Sequence, residues 1–261
     1  MSALTERSAR VVAAAKLLRL AGRRRAGRFL AEGPNLVEAA TRAGVVTEVF
    51  ATEAAVARHA DVIGGATVHV VTERAAKALS DTVTPTGLVA VCETPTPTLP
   101  GVLPGAALIA VAVGVSEPGN AGTLIRLGHA MGADAVVLAG HSVDPYNGKC
   151  LRASTGSIFA VPVVVEPDTE AVIAAVQGAG LQVLATALDG EVDLAQADLA
   201  GPTAWLFGPE AHGLPAEVAG AADHRVRIEM PGDAESLNVG AAAAICLYQS
   251  ARAHAAGRTS R

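Results

Sequence analysis

The chain has 261 residues, 51% of them apolar and 17% charged, enough to build packed cores and too little charge for a disordered chain; this length fits two modest domains better than one. One Trp, two Tyr and four Phe argue against a protein that stacks many unpaired bases on aromatic platforms, and a net charge of −5 argues against whole-surface attraction to nucleic acid. Cys92, Cys150 and Cys246 lie far apart with no CxxC or CxxH spacing, which speaks against a zinc site and implies no disulfide framework.

In chain order, the pattern predicts a helix over about 6–20. Residues 1–30 carry Arg7, Arg10, Lys16, Arg19, Arg23, Arg24, Arg25 and Arg28 against one acid, Glu6. This local basic field is either a solvated helix face or an anion-binding surface. A strand follows near Arg28–Glu32, then a helix opening at Gly33-Pro34-Asn35 and a strand at Val45–Ala51. After another helix come a strand at Thr67–Val71, a helix at about 73–80 and a strand at Gly87–Glu93. The stretch 93–105 holds four prolines and two glycines without apolar periodicity, and reads as an interdomain linker. The expected division is therefore a first domain over 1–95, a linker over 96–105 and a second domain over 106–261. The N-terminus has no apolar signal core, and runs such as 106–115 are too short to span a bilayer, so a soluble, cytoplasmic protein is expected.

After the linker the alternation is cleaner. Strands are predicted at Leu108–Val113, Ala135–Leu138, Ala160–Val165, Leu181–Ala185, Ala204–Phe207 and Arg225–Ile228, with helices near 120–132, 169–178 and 238–255. Most strands are continuous apolar runs, as parallel strands covered on both faces should be. This is an open α/β sheet, whose sites belong in the loops at the carboxyl ends of strands.

Three strand-to-helix junctions carry polar residues. In the first, 113–132, Asn120 stands at an expected N-cap, and Leu124, Leu127, Gly128 and Met131 form the inward stripe. Arg126 lies ~200° around the helix from Leu124 and points to water or to a site. A dinucleotide-binding loop fits poorly here, because G-x-G-x-x-G is absent and no acid ends the following strand. In the second, 204–214, a buried strand runs into Gly208, Pro209, Glu210, Ala211, His212 and Gly213; the glycines let a ligand approach the backbone, and Glu210 is either a satisfied loop carboxylate or a polar contact. His212 lacks any partner at metal-ligand spacing and reads as incidental. In the third, 227–252, Ser236 and Asn238 precede a helix opening on small residues, and capping alone can explain both.

Taken together and in order, the segments 117–126, 206–214 and 228–244 resemble the three motifs of the SpoU/TrmH branch of the SPOUT RNA methyltransferases. Segment 151–163 resembles that family's Arg/Ser/Gly stretch, and 23–40 and 84–93 resemble its L30e-like substrate-binding domain. Three departures stand out: Glu117 where Asp is frequent, Pro209 where Asn is usual, and Glu229 where Pro is common. The resemblance implies an N-terminal L30e-like α/β domain, a C-terminal parallel sheet with a trefoil knot, and a homodimer. It also implies S-adenosylmethionine as methyl donor and a ribose 2′-hydroxyl of RNA as acceptor, in ribosomal RNA first and transfer RNA second. Gly208, Ile228 and Leu237 fall on its cofactor-contacting positions. Asn120, Arg126, Glu210, Ser236 and Asn238 fall on its catalytic positions. Arg19, Arg23, Arg24, Arg25, Arg28 and Arg152 are the candidate RNA contacts, and no metal is expected. A non-catalytic RNA-binding protein and a small-molecule enzyme on a doubly wound sheet are the rival functions.

Overall fold

The computed structural model describes residues 3–209 and 212–259. In chain order the elements are α1 (Ala9–Ala15), a 3-10 turn (Lys16–Leu18), α2 (Leu20–Ala26), β1 (Arg28–Glu32), α3 (Pro34–Arg42), β2 (Val46–Ala51), α4 (Glu53–Arg58), α5 (Ala60–Ile63), β3 (Val68–Val70), α6 (Glu73–Ala78) and β4 (Leu88–Glu93). There follow α7 (Leu99–Val102), β5 (Leu108–Val113), α8 (Pro118–Ala130), β6 (Ala135–Ala139), α9 (Gly148–Ser154), a 3-10 turn (Ser157–Phe159), β7 (Val163–Glu166), α10 (Thr169–Gly178) and β8 (Gln182–Thr186). The chain closes with β9 (Val192–Asp193), a 3-10 turn (Leu194–Gln196), β10 (Thr203–Phe207), α11 (Ala216–Gly220), β11 (His224–Arg227) and α12 (Val239–Thr259).

The chain forms two compact units. One comprises residues 1–95 with 144–160, the other 96–143 with 161–261. Segment 144–160, which the alternating pattern places in the second domain, therefore packs within the first unit. Its anchors explain why: Tyr146 and Phe159 pack on Phe29 of β1, with ring centroids 4.7 and 6.1 Å apart. Asp144 there pairs with Arg23 of α2 at 2.6 Å.

The first unit is a mixed sheet in the order β1-β4-β2-β3, antiparallel except for β2 with β3. The expected helix over 6–20 is broken. Arg19 takes an extended conformation, and the chain turns back into α2, a helix the sequence pattern did not reveal. A Cβ at Gly22 would lie 1.9 Å from the Lys16 carbonyl oxygen, so only glycine allows this close crossing. The second unit is a seven-stranded parallel sheet in the order β7-β6-β5-β10-β8-β11-β9. Its central strands β5, β6 and β10 are buried along their whole length, as their continuous apolar runs predict. The proline-rich stretch is more ordered than a free linker, because it holds α7 and buries Leu99 and Leu103 in the core of this unit.

Candidate functional site

In the second unit, the loops at the carboxyl ends of β8, β10 and β11 enclose a cavity of about 710 Å³. Gly208, Ile228, Ser236 and Leu237 all line it, so four of the residues singled out from sequence meet around one space. Glu210 lies outside the described residues. Gly208 has a different reason to be glycine than ligand approach. A Cβ there would lie 2.5 Å from both the Gly213 carbonyl carbon and the Leu214 nitrogen, so the loop could not close on itself. The lining also includes Thr186 at the end of β8, Ala187, Leu188 and Asp189 just after it, and His212. The sequence pattern does not reveal the first four and sets His212 aside, because a strand end followed by an ordinary turn carries no distinguishing signal.

Arg225 lines the cavity and is held by two carboxylates. Its Nε donates to Glu191 at 3.0 Å and its Nη1 to Asp189 at 3.0 Å. The backbone N–H of Arg225 also donates to Glu191, and this bond first, then the guanidinium charge, lowers the Glu191 carboxyl below its ordinary range. The Asp189 charge, above all, raises the Arg225 guanidinium. A second buttress fixes the same loop: a Cβ at Gly190 would meet the Arg227 nitrogen at 2.6 Å.

α8 begins two residues earlier than predicted. Glu117 is its N-cap and Pro118 its first residue, so Asn120 sits inside the first turn rather than at the cap. There the Asn120 Oδ1 faces the Asn238 Nδ2 at 3.5 Å. Asn238 precedes α12 and its Oδ1 accepts from the Gly240 N–H at 2.8 Å, the expected cap. Gly240 lets the two helices meet, since a Cβ there would lie 2.9 Å from the Thr123 Cγ2. Leu124, Ile125 and Gly128 are buried on α8, whereas Arg126 is exposed and makes no hydrogen bond or ion pair with the described residues. This is the outward direction that its angle from Leu124 predicts.

In the first unit, Arg19, Arg24, Arg25 and Arg28 are exposed. Arg23 is not, which corrects its assignment as an RNA contact. It is 8% exposed, its Nε and Nη2 bind Asp144 at 2.7 and 2.6 Å, and its Nη1 donates to the Leu17 and Leu18 carbonyls. Every donor nitrogen is thus engaged inside the fold. Arg152 is half-exposed and pairs with Asp81 at 2.6 Å.

A family model described as the SpoU rRNA methylase family matches residues 107–248. The chain belongs to the SpoU rRNA methylase family. A second model, the MRM3-like substrate-binding domain, matches residues 9–90. Among relatives, the 23S rRNA (guanosine(2553)-2′-O)-methyltransferase RlmP of Bacillus subtilis is 34% identical over 84% of this chain and 87% of its own length. The 23S rRNA (uridine(2479)-2′-O)-methyltransferase of Streptomyces viridochromogenes is 38% identical over 55% of this chain and 52% of its own length, so the match spans about half of that relative. The crystal structure of the SpoU methyltransferase AviRb from Streptomyces viridochromogenes, in complex with AdoMet, superposes with a TM-score of 0.86 at 30% identity, covering 97% of this chain and all of that one.

Within this SpoU member the two matched models follow the chemistry of the two units. The parallel sheet carries the cavity and the polar residues of α8 and α12. The first unit carries the exposed Arg19, Arg24, Arg25 and Arg28. Among the described residues no group of His, Cys, Asp and Glu could hold a metal ion, and no helix is long and apolar enough to cross a membrane.

Proposed function

We propose that this SpoU member transfers the methyl group of S-adenosylmethionine to a ribose 2′-hydroxyl of 23S ribosomal RNA. The observation that carries the reading is the convergence of Gly208, Ile228, Ser236 and Leu237 on a single cavity at the strand ends. The residues present fit the cofactor. Leu214, Ile228, Leu237 and Val239 supply apolar walls for an adenosine, and Glu235 brings a carboxylate to a cavity whose lining cation, Arg225, is already paired with Asp189 and Glu191. S-adenosylmethionine, when bound, supplies an electrophilic methyl group.

The protein's own contribution is orientation and charge. A guanidinium resists deprotonation, so Arg126 acts by stabilising the alkoxide that develops on the 2′ oxygen, or by holding the adjacent phosphate. Asn120 and Asn238 lock the start of α8 to the start of α12, and Ser236 adds to the polar wall. Glu210 keeps the catalytic role that its motif implies. Arg19, Arg24, Arg25 and Arg28 of the first domain, residues 1–95, take the RNA backbone together with Arg152. The same reading includes a homodimer built on α12, whose exposed stripe Ala241, Ile245, Tyr248 and Arg252 repeats at helical spacing. It also includes a knotted threading of the C-terminal segment, and a cytoplasmic location.

The test is to incubate the protein with methyl-labelled S-adenosylmethionine and separated 23S, 16S and transfer RNA, then locate the label. Label on a ribose of 23S RNA is expected. Label confined to transfer RNA overturns the substrate, and label on a base or on no RNA overturns the reaction.

A further inference from the structure

The fold leaves two leucines partly exposed within its most basic stretch of sequence. Residues 7–31 contain eight Arg and Lys and no acid. Arg10 is paired with Glu48 and Arg23 with Asp144, whereas Arg7, Lys16, Arg19, Arg24, Arg25 and Arg28 are exposed and form no ion pair with the described residues. Between α1 and α2 the chain reverses at Leu18-Arg19-Leu20. At this apex Leu18 is 36% and Leu20 40% exposed, and Val12, one turn before Lys16, is 44% exposed.

This apex is held rigidly. Gly22 passes directly against the Lys16 carbonyl, and the Arg23 Nη1 donates to the carbonyls of Leu17 and Leu18 at 3.0 Å each, so the last turn before the apex is tied down by a buried cation. Single exposed leucines are ordinary on protein surfaces. A Leu-Arg-Leu tip fixed by a glycine crossing and a buried arginine, and flanked in sequence by exposed Lys16, Arg24 and Arg25, pairs apolar contact with anion binding.

We propose that the Leu18-Arg19-Leu20 apex is a wedge that recognises RNA at an unpaired nucleotide, the guanidinium of Arg19 on the phosphate and the leucines against the face of the splayed base. The inference rests on RNA being the substrate. It goes further by naming the local structure that this domain selects. A regular duplex offers this apex phosphates and a shallow groove but no apolar face, whereas an unstacked base in a loop or bulge offers both phosphate and face. An anionic membrane surface would also meet cations and leucines. It is disfavoured because α1 and α2 are seven residues each and leave only partly exposed apolar side chains, too little for an interfacial helix.

The experiment compares two synthetic RNAs, a hairpin carrying a bulge and a fully paired duplex of the same length, using full-length wild type, Leu18→Ser/Leu20→Ser, Leu20→Gln, and Arg19→Ala/Arg24→Ala. The leucine double variant should lose about tenfold in affinity for the bulged hairpin, since most of two half-exposed leucines is at stake, and little for the duplex. Its salt dependence should not change. Leu20→Gln, which stays soluble and keeps the side-chain length, should show the same preference in weaker form. The arginine variant should weaken both probes and flatten the salt slope by about 0.7–0.9 for each phosphate it no longer neutralises. Unfolding midpoints and S-adenosylmethionine affinity serve as the control for folding. Equal losses on both probes, or no loss in either leucine variant, overturn the proposal. Leucine-dependent binding to phosphatidylserine vesicles without discrimination between the RNAs overturns it in favour of a membrane. If wild type binds neither RNA, the proposal fails, and methyl transfer to 23S RNA then decides the functional reading on its own.

Discussion

Arg126 and Arg23 show how one side-chain type takes opposite roles according to where its helix turns it. Arg126 is presented outward on α8 with its donors uncommitted toward the described residues, so its loss should leave the fold and the cofactor cavity in place. Arg126→Ala should lower turnover roughly 10²–10³-fold, the usual cost of removing an electrostatic donor to a developing oxyanion, with cofactor affinity within about twofold. Arg126→Lys should rescue little, because a point charge does not reproduce a planar fork. Single-turnover kinetics with calorimetry of S-adenosylmethionine binding separates the two effects. Arg23 is instead buried against Asp144, and removing one partner of such a pair leaves the other charge uncompensated. Arg23→Ala should destabilise by about 3–5 kcal/mol in urea unfolding. Arg24→Glu with Arg25→Glu should leave the midpoint nearly unchanged and weaken RNA binding in a salt-dependent way.

At the scale of elements, the loop after β10 and the helix α12 are each held by one atomic necessity. The Gly208 position has no room for a Cβ against the backbone of Gly213 and Leu214. Gly208→Ala should therefore deform the loop and cost cofactor affinity at least tenfold, about 1.4 kcal/mol or more, while the sheet beneath stays folded. Calorimetry and circular dichroism on the same sample check both halves of that statement. α12 is anchored on β10 by a fully buried bond in which the Trp205 Nε1 donates to the Ser250 Oγ at 2.9 Å. Ser250→Ala leaves the indole N–H unpaired and should cost about 1–3 kcal/mol, with a shift in the emission of this single tryptophan.

For the whole molecule, all three cysteines lie inside, and burial raises the thiol of Cys92 to about 12 and that of Cys150 to about 12, with Cys246 raised as well. The folded state thus keeps protons that the unfolded chain releases near its ordinary 9.0. This stabilisation is complete below pH 9.0 and is lost as pH rises from there toward about 12, where the folded thiols ionise too. Unfolding free energy should fall steadily across that alkaline range, and a thiol reagent at neutral pH should react only when denaturant is added. The exposed stripe on α12 bears on assembly: sedimentation of the wild type should show a dimer at micromolar concentration, and Tyr248→Glu with Ile245→Glu should yield a monomer of about 26 kDa.

Both sheets are legible in the linear chain, because strand runs such as 28–32 and 108–113 have an apolar pattern that only a covered strand satisfies, and these occupy their predicted positions. So are the loops that matter, since Gly208 and Ile228 follow strand ends and Ser236 and Leu237 lie in the loop from β11 to α12, where a parallel sheet opens. Long-range packing settles what spacing cannot encode. Whether an arginine in the run 23–25 faces water or Asp144, 121 residues away along the chain, depends on a return of the chain that no local pattern announces. The same holds for segment 144–160, whose affiliation with the first unit is set by the packing of Tyr146 and Phe159 on Phe29. It holds too for the break at Arg19, where one glycine permits a helix crossing that helical propensity alone would have continued straight through. Local pattern fixes which residues can be buried; the long-range contacts, whose energy appears only when distant segments meet, fix which ones are.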